Sequence, residues 1–185
     1  MKKRILIVLV VAAALFAFAG CSGVGKKADT FGMVANEKSS ISVLGTKADF
    51  DALTAKDPEA FGVCVTLPVS YQNEACECVA GDDEIGGFFM QFTDAQNKKA
   101  DCGGHLFTLH MIPAGKTTEF AQYELIGKIT KDGKAVYDLV KEIPSDVQYD
   151  LQDQKLTDSY KSMFDEAKTV IDSVALSEGY TLEKK

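Results

Sequence analysis

The cysteines are the residues whose type and spacing offer the most chemistry. Four of the five fall in the later part of this 185-residue chain: Cys64, Cys76, Cys78 and Cys102. In an exported protein an even number of cysteines favours disulfides, and four allow three connectivities. If the strands around Cys64 and Cys78 form a hairpin about Tyr71, these two cysteines lie opposite each other. We therefore expect a Cys64–Cys78 disulfide, with Cys76 bonded to Cys102.

Cys76 and Cys78 also have a second interpretation, as a pair that reacts with each other. Residues two apart share one face of a strand, so their thiols can meet. A disulfide between them would be strained and easily reduced, and a labile disulfide is the kind used in redox chemistry. A membrane-tethered thiol/disulfide redox protein is therefore the alternative to a protein with structural disulfides or plain thiols.

The two histidines raise the question of a metal site. His105 and His110 lie close to Cys102 in sequence, and imidazole and thiolate are both zinc ligands. The chain lacks a Cys-x-x-Cys pair and a double-histidine spacing, however. Residues five apart on one strand face opposite ways, so one site can hardly take both histidines. We expect ordinary strand histidines and no bound metal.

Other motifs for chemistry are weak. The run Asp82-Asp83-Glu84 offers oxygen ligands for calcium, but an exposed acidic turn needs no ligand. The glycines at 86 and 87 lack the strand and helix context of a phosphate cradle, and no serine lies on a nucleophile elbow. We expect no catalytic residues and no cofactor.

The N-terminus has the layout of a secretory signal peptide. Lys2, Lys3 and Arg4 precede an uncharged apolar run over residues 5–19, which ends in small residues. As a helix this run would span about 22 Å, short of a hydrocarbon core of roughly 30 Å. We therefore expect residues 1–20 to be a removable leader rather than a membrane helix.

Cys21 directly follows this leader. The sequence Phe18-Ala19-Gly20-Cys21 resembles the bacterial lipobox, in which the cysteine thiol receives a diacylglyceryl group. Two or more acyl chains hold a protein on a bilayer far more firmly than one. We expect Cys21 to be lipidated and to fix the protein to the extracytoplasmic face of the cell membrane. A plain cleaved signal with a free thiol at Cys21 is the alternative.

The charge composition argues against one class of partner. Loss of residues 1–20 removes three positive charges and moves the formal net charge from −7 to −10. Arg4 is the only arginine, so the mature chain has no guanidinium to bind phosphate in a bidentate way. We therefore expect no nucleic-acid partner.

Patterning divides the remaining chain into a tether, a domain and a tail. Residues 21–45 are rich in Ser, Gly, Lys and Ala and are expected to form a flexible tether. The globular domain is predicted over 46–179, with 180–185 as a tail. Thr46 is expected to cap a short helix over 47–56, which Asp57-Pro58 ends.

Within the domain, alternating or aromatic-rich segments predict strands at 61–67, 75–80, 86–93, 105–112, 123–130 and 135–140. Asp132-Gly133 predicts a tight hairpin between the last two. An apolar stripe from Leu156 to Val174 predicts a long amphipathic helix, capped by Asp153 or Thr157. Because that stripe must be buried, we predict an α+β fold: an antiparallel meander sheet packed against a long C-terminal helix, in a single domain.

Four segments carry a resemblance to a known family. They are 61–68 (FGVCVTLP), 103–109 (GGHLFTL), 123–127 (YELIG) and 144–149 (PSDVQY). They resemble a group of small extracytoplasmic lipoproteins of unknown function from anaerobic Gram-positive bacteria, over roughly residues 60 to 175. The resemblance implies a tethered α+β domain, similar to the PsbP-like sandwich, with no catalytic residues to carry over. The cysteines of the domain depart from that pattern.

An export signal combined with a foldable core and no assembled catalytic motif favours a non-enzymatic function. We expect a membrane-anchored binding or interaction module of the cell envelope, whose sheet or loops contact an envelope protein or a small ligand. The redox protein using Cys76 and Cys78 is the second hypothesis, and an unrecognised hydrolase is the third.

Overall fold

Two antiparallel sheets and three helices form the fold in the computed structural model, which describes residues 28–36, 40–116 and 123–185. The first sheet contains β1 (Thr30–Ala35), β2 (Ile41–Leu44), β3 (Phe61–Thr66) and β9 (Ala175–Leu176), in the order β2-β1-β3-β9. The second contains β4 (Cys76–Asp82), β5 (Phe88–Asp94), β6 (His105–Pro113), β7 (Tyr123–Lys131), β8 (Lys134–Glu142) and β10 (Tyr180–Lys184), in the order β10-β7-β8-β6-β5-β4. The helices are α1 (Lys47–Lys56), α2 (Ala95–Lys99) and α3 (Gln154–Asp172).

The main core includes the apolar face of α3 and the inner faces of both sheets. Tyr160, Met163 and Val170 of α3 are buried in it, and Asp153 caps the helix by accepting hydrogen bonds from two backbone N–H groups of its first turn. Phe92 and Phe107 stack in the same core with their ring centroids 4.5 Å apart. The predicted amphipathic helix, its cap and the α+β class are therefore confirmed.

A second, smaller core lies on the other face of the first sheet, under α1. Phe50 of α1 packs there against Val34 and Cys64. A Cβ on Gly32 or Gly62 would lie 3.0–3.1 Å from the Phe50 ring, so glycine at both positions lets the helix approach the sheet. The side chain of Thr46 caps α1 by accepting a hydrogen bond from the backbone N–H of Asp49, as the sequence predicts.

The predicted boundaries of the domain were wrong at both ends. Residues 30–35, assigned to the flexible tether of 21–45, form the buried strand β1, which pairs with β2 and β3. All six residues of β1 are buried, so its sequence does not alternate between apolar and polar residues as a half-exposed strand does. The sequence therefore offered only its composition as a guide. Residues 180–184, assigned to the tail, form β10 and pair with β7. The domain therefore includes β1 at one end and β10 at the other.

The predicted hairpin about Tyr71 is not formed. β3 pairs with β1 and β9, while β4 pairs with β5, so the two strands belong to different sheets. The connection contains a short 3₁₀ turn, Val69–Tyr71, and the Tyr71 hydroxyl donates to the carbonyl of Met163 at 2.8 Å. Tyr71 thus lies buried beneath α3 rather than at an exposed turn. The β7–β8 hairpin is confirmed, with positive φ at Asp132 and Gly133.

In the described part of the chain, no helix combines the length and apolar character needed to cross a membrane. The predicted signal peptide over 1–20 and the predicted lipidation site Cys21 lie outside the described residues.

Candidate functional site

The candidate site lies on the outer face of the second sheet, which we define as the face opposite the main core. Cross-strand partners share a face, so the strand register identifies its members. One row consists of Gly81, Phe89, His110, Val140 and Leu125. The next consists of Val79, Gln91, Thr108, Glu142 and Tyr123. Polar side chains are therefore grouped on the two central strands, β6 and β8, and their neighbours.

His110 is the centre of this group. Its Nδ1 lies 2.7 Å from Oδ2 of Asp83, and its Nε2 lies 3.1 Å from Oε2 of Glu142. The His110 and Asp83 side chains are each only 11% exposed. The Tyr123 ring packs against the imidazole with 4.8 Å between centroids. We call Asp83, His110, Tyr123 and Glu142 the imidazole–carboxylate cluster.

Two glycines bring Asp83 to the histidine. The β4–β5 turn is closed by hydrogen bonds from the Asp83 N–H to the Gly87 carbonyl and from the Gly86 N–H to the Asp83 carbonyl. Gly86 has a φ of +89°, which favours glycine. A Cβ on Gly87 would lie 2.0 Å from the backbone oxygen of Met111, so this turn can approach β6 only with glycine there.

The geometry of the cluster limits its protonation states. A neutral imidazole has one donor nitrogen and one acceptor nitrogen, whereas an ionised carboxylate only accepts. Both nitrogens of His110 face carboxylate oxygens. Both contacts can be hydrogen bonds only if the imidazole carries two N–H groups or if one carboxyl group is protonated.

His105 lies on the same face as His110, which contradicts the expectation that they face opposite ways. The register between β5 and β6 shifts at Phe92/Thr93, so one extra residue, Leu106, lies between the paired positions of β6. Such a bulge reverses the alternation of side chains. As a result, Nε2 of His105 lies 2.9 Å from Oγ1 of Thr108.

The surroundings of His105 differ from those of His110. Burial lowers the pKa of His105, while the charge of Glu142 and a backbone hydrogen bond at Phe107 act in the opposite direction. Among residues 28–36, 40–116 and 123–185, no group of three or more His, Cys, Asp or Glu side chains is placed to hold a metal ion.

The predicted disulfides are not formed, and all four cysteines of the domain are free thiols. Cys64 belongs to β3 and is buried under α1, in a different sheet from Cys78, because the hairpin that would have paired them is absent. The Cys102 thiol contacts the carbonyl of Ala100 at 3.4 Å. Burial raises the pKa of Cys64 to about 11.

Cys76 and Cys78 are brought together, as two residues on one strand face should be. Their Sγ atoms lie 3.8 Å apart, and both side chains pack against the main core. Contact with Cys76, followed by burial, raises the pKa of Cys78 well above that of an ordinary cysteine. The Cys78 thiol is therefore protonated at neutral pH, which makes it a slow nucleophile.

Sequence reasoning missed Asp83, Tyr123 and Glu142 as partners of His110, and it missed the shared face of the histidines. The available signal was the strand 105–113, in which the polar Thr108 and His110 alternate with buried apolar residues. A polar stripe along a central strand indicates a functional face, but only the strand order β7-β8-β6-β5 shows which side chains meet there.

Comparison with known proteins gives no match to a family model, a curated protein or a solved structure.

Proposed function

We propose that this protein is a lipid-anchored module on the extracytoplasmic face of the cell membrane, and that it binds an envelope partner through the outer face of its second sheet. The leader and Cys21 in the sequence support the anchor. The resemblance to small extracytoplasmic lipoproteins supports the same location. The observation that carries the binding function is the imidazole–carboxylate cluster at the middle of that face.

The cluster supports binding because it is costly as a purely structural feature. Burying charged groups carries a desolvation penalty, and well-packed apolar side chains of similar volume are often at least as stabilising as a buried ion pair. Gln91 and Tyr123, which are half-buried, lie in the row next to His110 and add polar side chains to this face. A surface of this composition fits a partner with basic or hydrogen-bond-donating groups, as does the net charge of −10 expected after removal of the leader.

The same geometry favours a non-enzymatic role. Both ring nitrogens of His110 face carboxylate oxygens, so neither is directed at a hydroxyl or thiol that it could activate. The Thr108 hydroxyl does lie within hydrogen-bond distance of the His105 imidazole. However, Thr108 is only 5% exposed and lies within a central strand. A substrate carbonyl would have little access to it.

The corrected start of the domain limits its distance from the membrane. Nine positions separate Cys21 from Thr30, the first residue of β1. A fully extended chain covers at most about 3.6 Å per residue, so this segment reaches no further than about 32 Å. An anchored domain would accordingly stay close to the bilayer, and its partner would be membrane-associated or would approach the membrane surface.

Site-specific photo-crosslinking in intact cells tests the binding face. A photoreactive residue is placed at Gln91 on the outer face and, as a matched control, at Lys168 on the exposed side of α3. We expect one discrete adduct from position 91, absent from position 168 and lost when Glu142→Gln is combined with the probe. Identical adducts from both positions, or adducts that survive Glu142→Gln, would contradict the proposal.

A further inference from the structure

A pair of thiols lies on the core side of the second sheet, at its β4 edge. The thiols of Cys76 and Cys78 are in contact there, with 3.8 Å between the Sγ atoms. We propose that Cys76 and Cys78 form a reversible disulfide within β4 by exchange with a small disulfide, which makes this edge strand sensitive to redox conditions. This inference goes beyond the proposed binding function and does not depend on it.

The two thiols are close enough to form this bond only if the backbone of β4 moves slightly. Residues two apart in a strand have Cα atoms about 6.8 Å apart, which is the upper end of the range that disulfides span. The Sγ atoms must also approach from 3.8 Å to about 2.05 Å. Oxidation therefore requires β4 to shorten or bend slightly between the two cysteines.

The position of β4 permits such a change. β4 is the last strand of its sheet and pairs only with β5 in the described part of the chain, so it can bend without disturbing a second neighbour. Asn73 and Glu74, in the turn just before β4, have φ values of 55° and 64°. Non-glycine residues in this region store backbone strain, and a small rotation in this turn would shift the start of the strand.

The exchange balances with a small disulfide as oxidant. One protein thiolate attacks a sulfur of the small disulfide, a mixed disulfide forms, and one small thiol leaves with a proton. The other protein thiolate then attacks the sulfur of the first cysteine, the Cys76–Cys78 bond forms, and the second small thiol leaves. The protein loses two hydrogens and is oxidised, while the small disulfide is reduced to two thiols.

The other cysteines serve as internal controls. Cys64 is buried beneath α1, and Cys102 follows α2 and contacts a backbone carbonyl. The contacts described for their side chains join neither of them to another thiol, in contrast to Cys76 and Cys78. If contact between thiols decides which disulfide forms within the protein, that disulfide should form only within β4.

The test uses the full-length protein, purified in detergent and equilibrated at pH 8 with oxidised or reduced glutathione. Free thiols are then alkylated under denaturing conditions, and a protease cleaves after Glu77, between the two cysteines. In the oxidised sample we expect Cys76 and Cys78 to be protected together and to hold the two fragments in one disulfide-linked species. Cys64 and Cys102 should be absent from this linked species, and reduced glutathione should reverse the linkage.

Single cysteine variants identify the two thiols that form the bond. Cys76→Ser or Cys78→Ser should each abolish the linked species, while Cys64→Ser and Cys102→Ser should leave its yield unchanged. Alkylation of all four cysteines after oxidation would overturn the proposal. The proposal would also be overturned if Cys76 or Cys78 formed mixed disulfides with glutathione that were never converted to the Cys76–Cys78 bond. A protein disulfide that involves Cys64 or Cys102 would overturn it as well. Because the crosslinking from Gln91 measures an adduct with a partner, whereas this assay measures a bond between two thiols, failure of either proposal can be recognised separately.

Discussion

Nδ1 of His110 lies 2.7 Å from Oδ2 of Asp83, which joins the middle of β6 to the turn between β4 and β5 across 27 positions of sequence. Both side chains are nearly buried, and Glu142 approaches the other side of the ring. The contact orients His110 on the outer face and fixes the turn against the sheet. The stability of the domain should therefore depend on the charge of Asp83.

We predict that Asp83→Asn destabilises the domain by about 1–3 kcal/mol, because an amide of the same size replaces a charge-assisted hydrogen bond to a nearly buried imidazole. Urea unfolding followed by circular dichroism measures the change. Asp82→Asn, at the exposed neighbouring carboxylate, is the matched control and should change stability by less than about 0.5 kcal/mol. Equal effects of the two substitutions would show that the His110 contact has no special role.

Gly87→Ala tests how the β4–β5 turn reaches β6. The new Cβ would lie 2.0 Å from the Met111 oxygen, so the turn must move away, and the free energy of unfolding should fall by more than about 2 kcal/mol. Gly45→Ala is the control, since its Cβ would make an ordinary 3.7 Å contact with Ala28 and should be close to neutral. Thermal melts of both variants provide the comparison, and a fully tolerated Gly87→Ala would be incompatible with the described turn.

The buried thiol of Cys64 should contribute to alkaline denaturation. Burial raises the pKa of Cys64 to about 11, above the value near 9 of an unburied thiol. Between these pH values the unfolded chain has lost a proton that the folded chain keeps. The stabilisation is therefore complete below pH 9 and is lost towards pH 11, at roughly 1.4 kcal/mol per pH unit at most.

Cys64→Ala isolates this contribution from that of the buried tyrosines, which the variant retains. Its free energy of unfolding should fall less steeply than that of the wild type between pH 9 and 11, although it is lower at pH 7 because a cavity replaces the sulfur. Urea titrations across this pH range give both curves. Parallel curves would mean that Cys64 is not a buried thiol in the folded state.

Alkylation kinetics test the environment of Cys78. Contact with Cys76 and burial raise the pKa of Cys78, so its thiolate is scarce at neutral pH. Its reaction with iodoacetamide in the reduced, folded protein should be slower at pH 7 than that of a free cysteine, and should continue to rise with pH above 9. Mass spectrometry of the digested protein follows Cys78 alone. A rate that levels off below pH 8 would contradict the described contact.

The elements that local chemistry specifies were predictable from the sequence. Thr46 and Asp153 mark the starts of α1 and α3, and Asp132-Gly133 marks the β7–β8 hairpin, because caps and tight turns depend on residues only a few positions apart. The α+β class followed from one amphipathic helix and several strand patterns. Apart from this hairpin, strand partners were not predictable, because pairing is decided by contacts between distant segments.

The members of the candidate site could not be predicted, because they depend on which strands are neighbours. Asp83, His110 and Glu142 meet only because β6 lies between β5 and β8, and His105 joins their face only because of the bulge at Leu106. The disulfide prediction failed for the same reason, since Cys64 and Cys78 belong to different sheets. In contrast, the contact between Cys76 and Cys78 was predictable because it lies within one strand.

The intact mass of the protein extracted from its native membrane tests the anchored location most directly, and the proposed function depends on that location. We predict a chain that begins at Cys21 and carries a diacylglyceryl group, with Cys21→Ser converting it to a form that is not acylated at this position. A native chain that retains Met1, or one that begins at residue 21 without any acyl group, would contradict the anchored module.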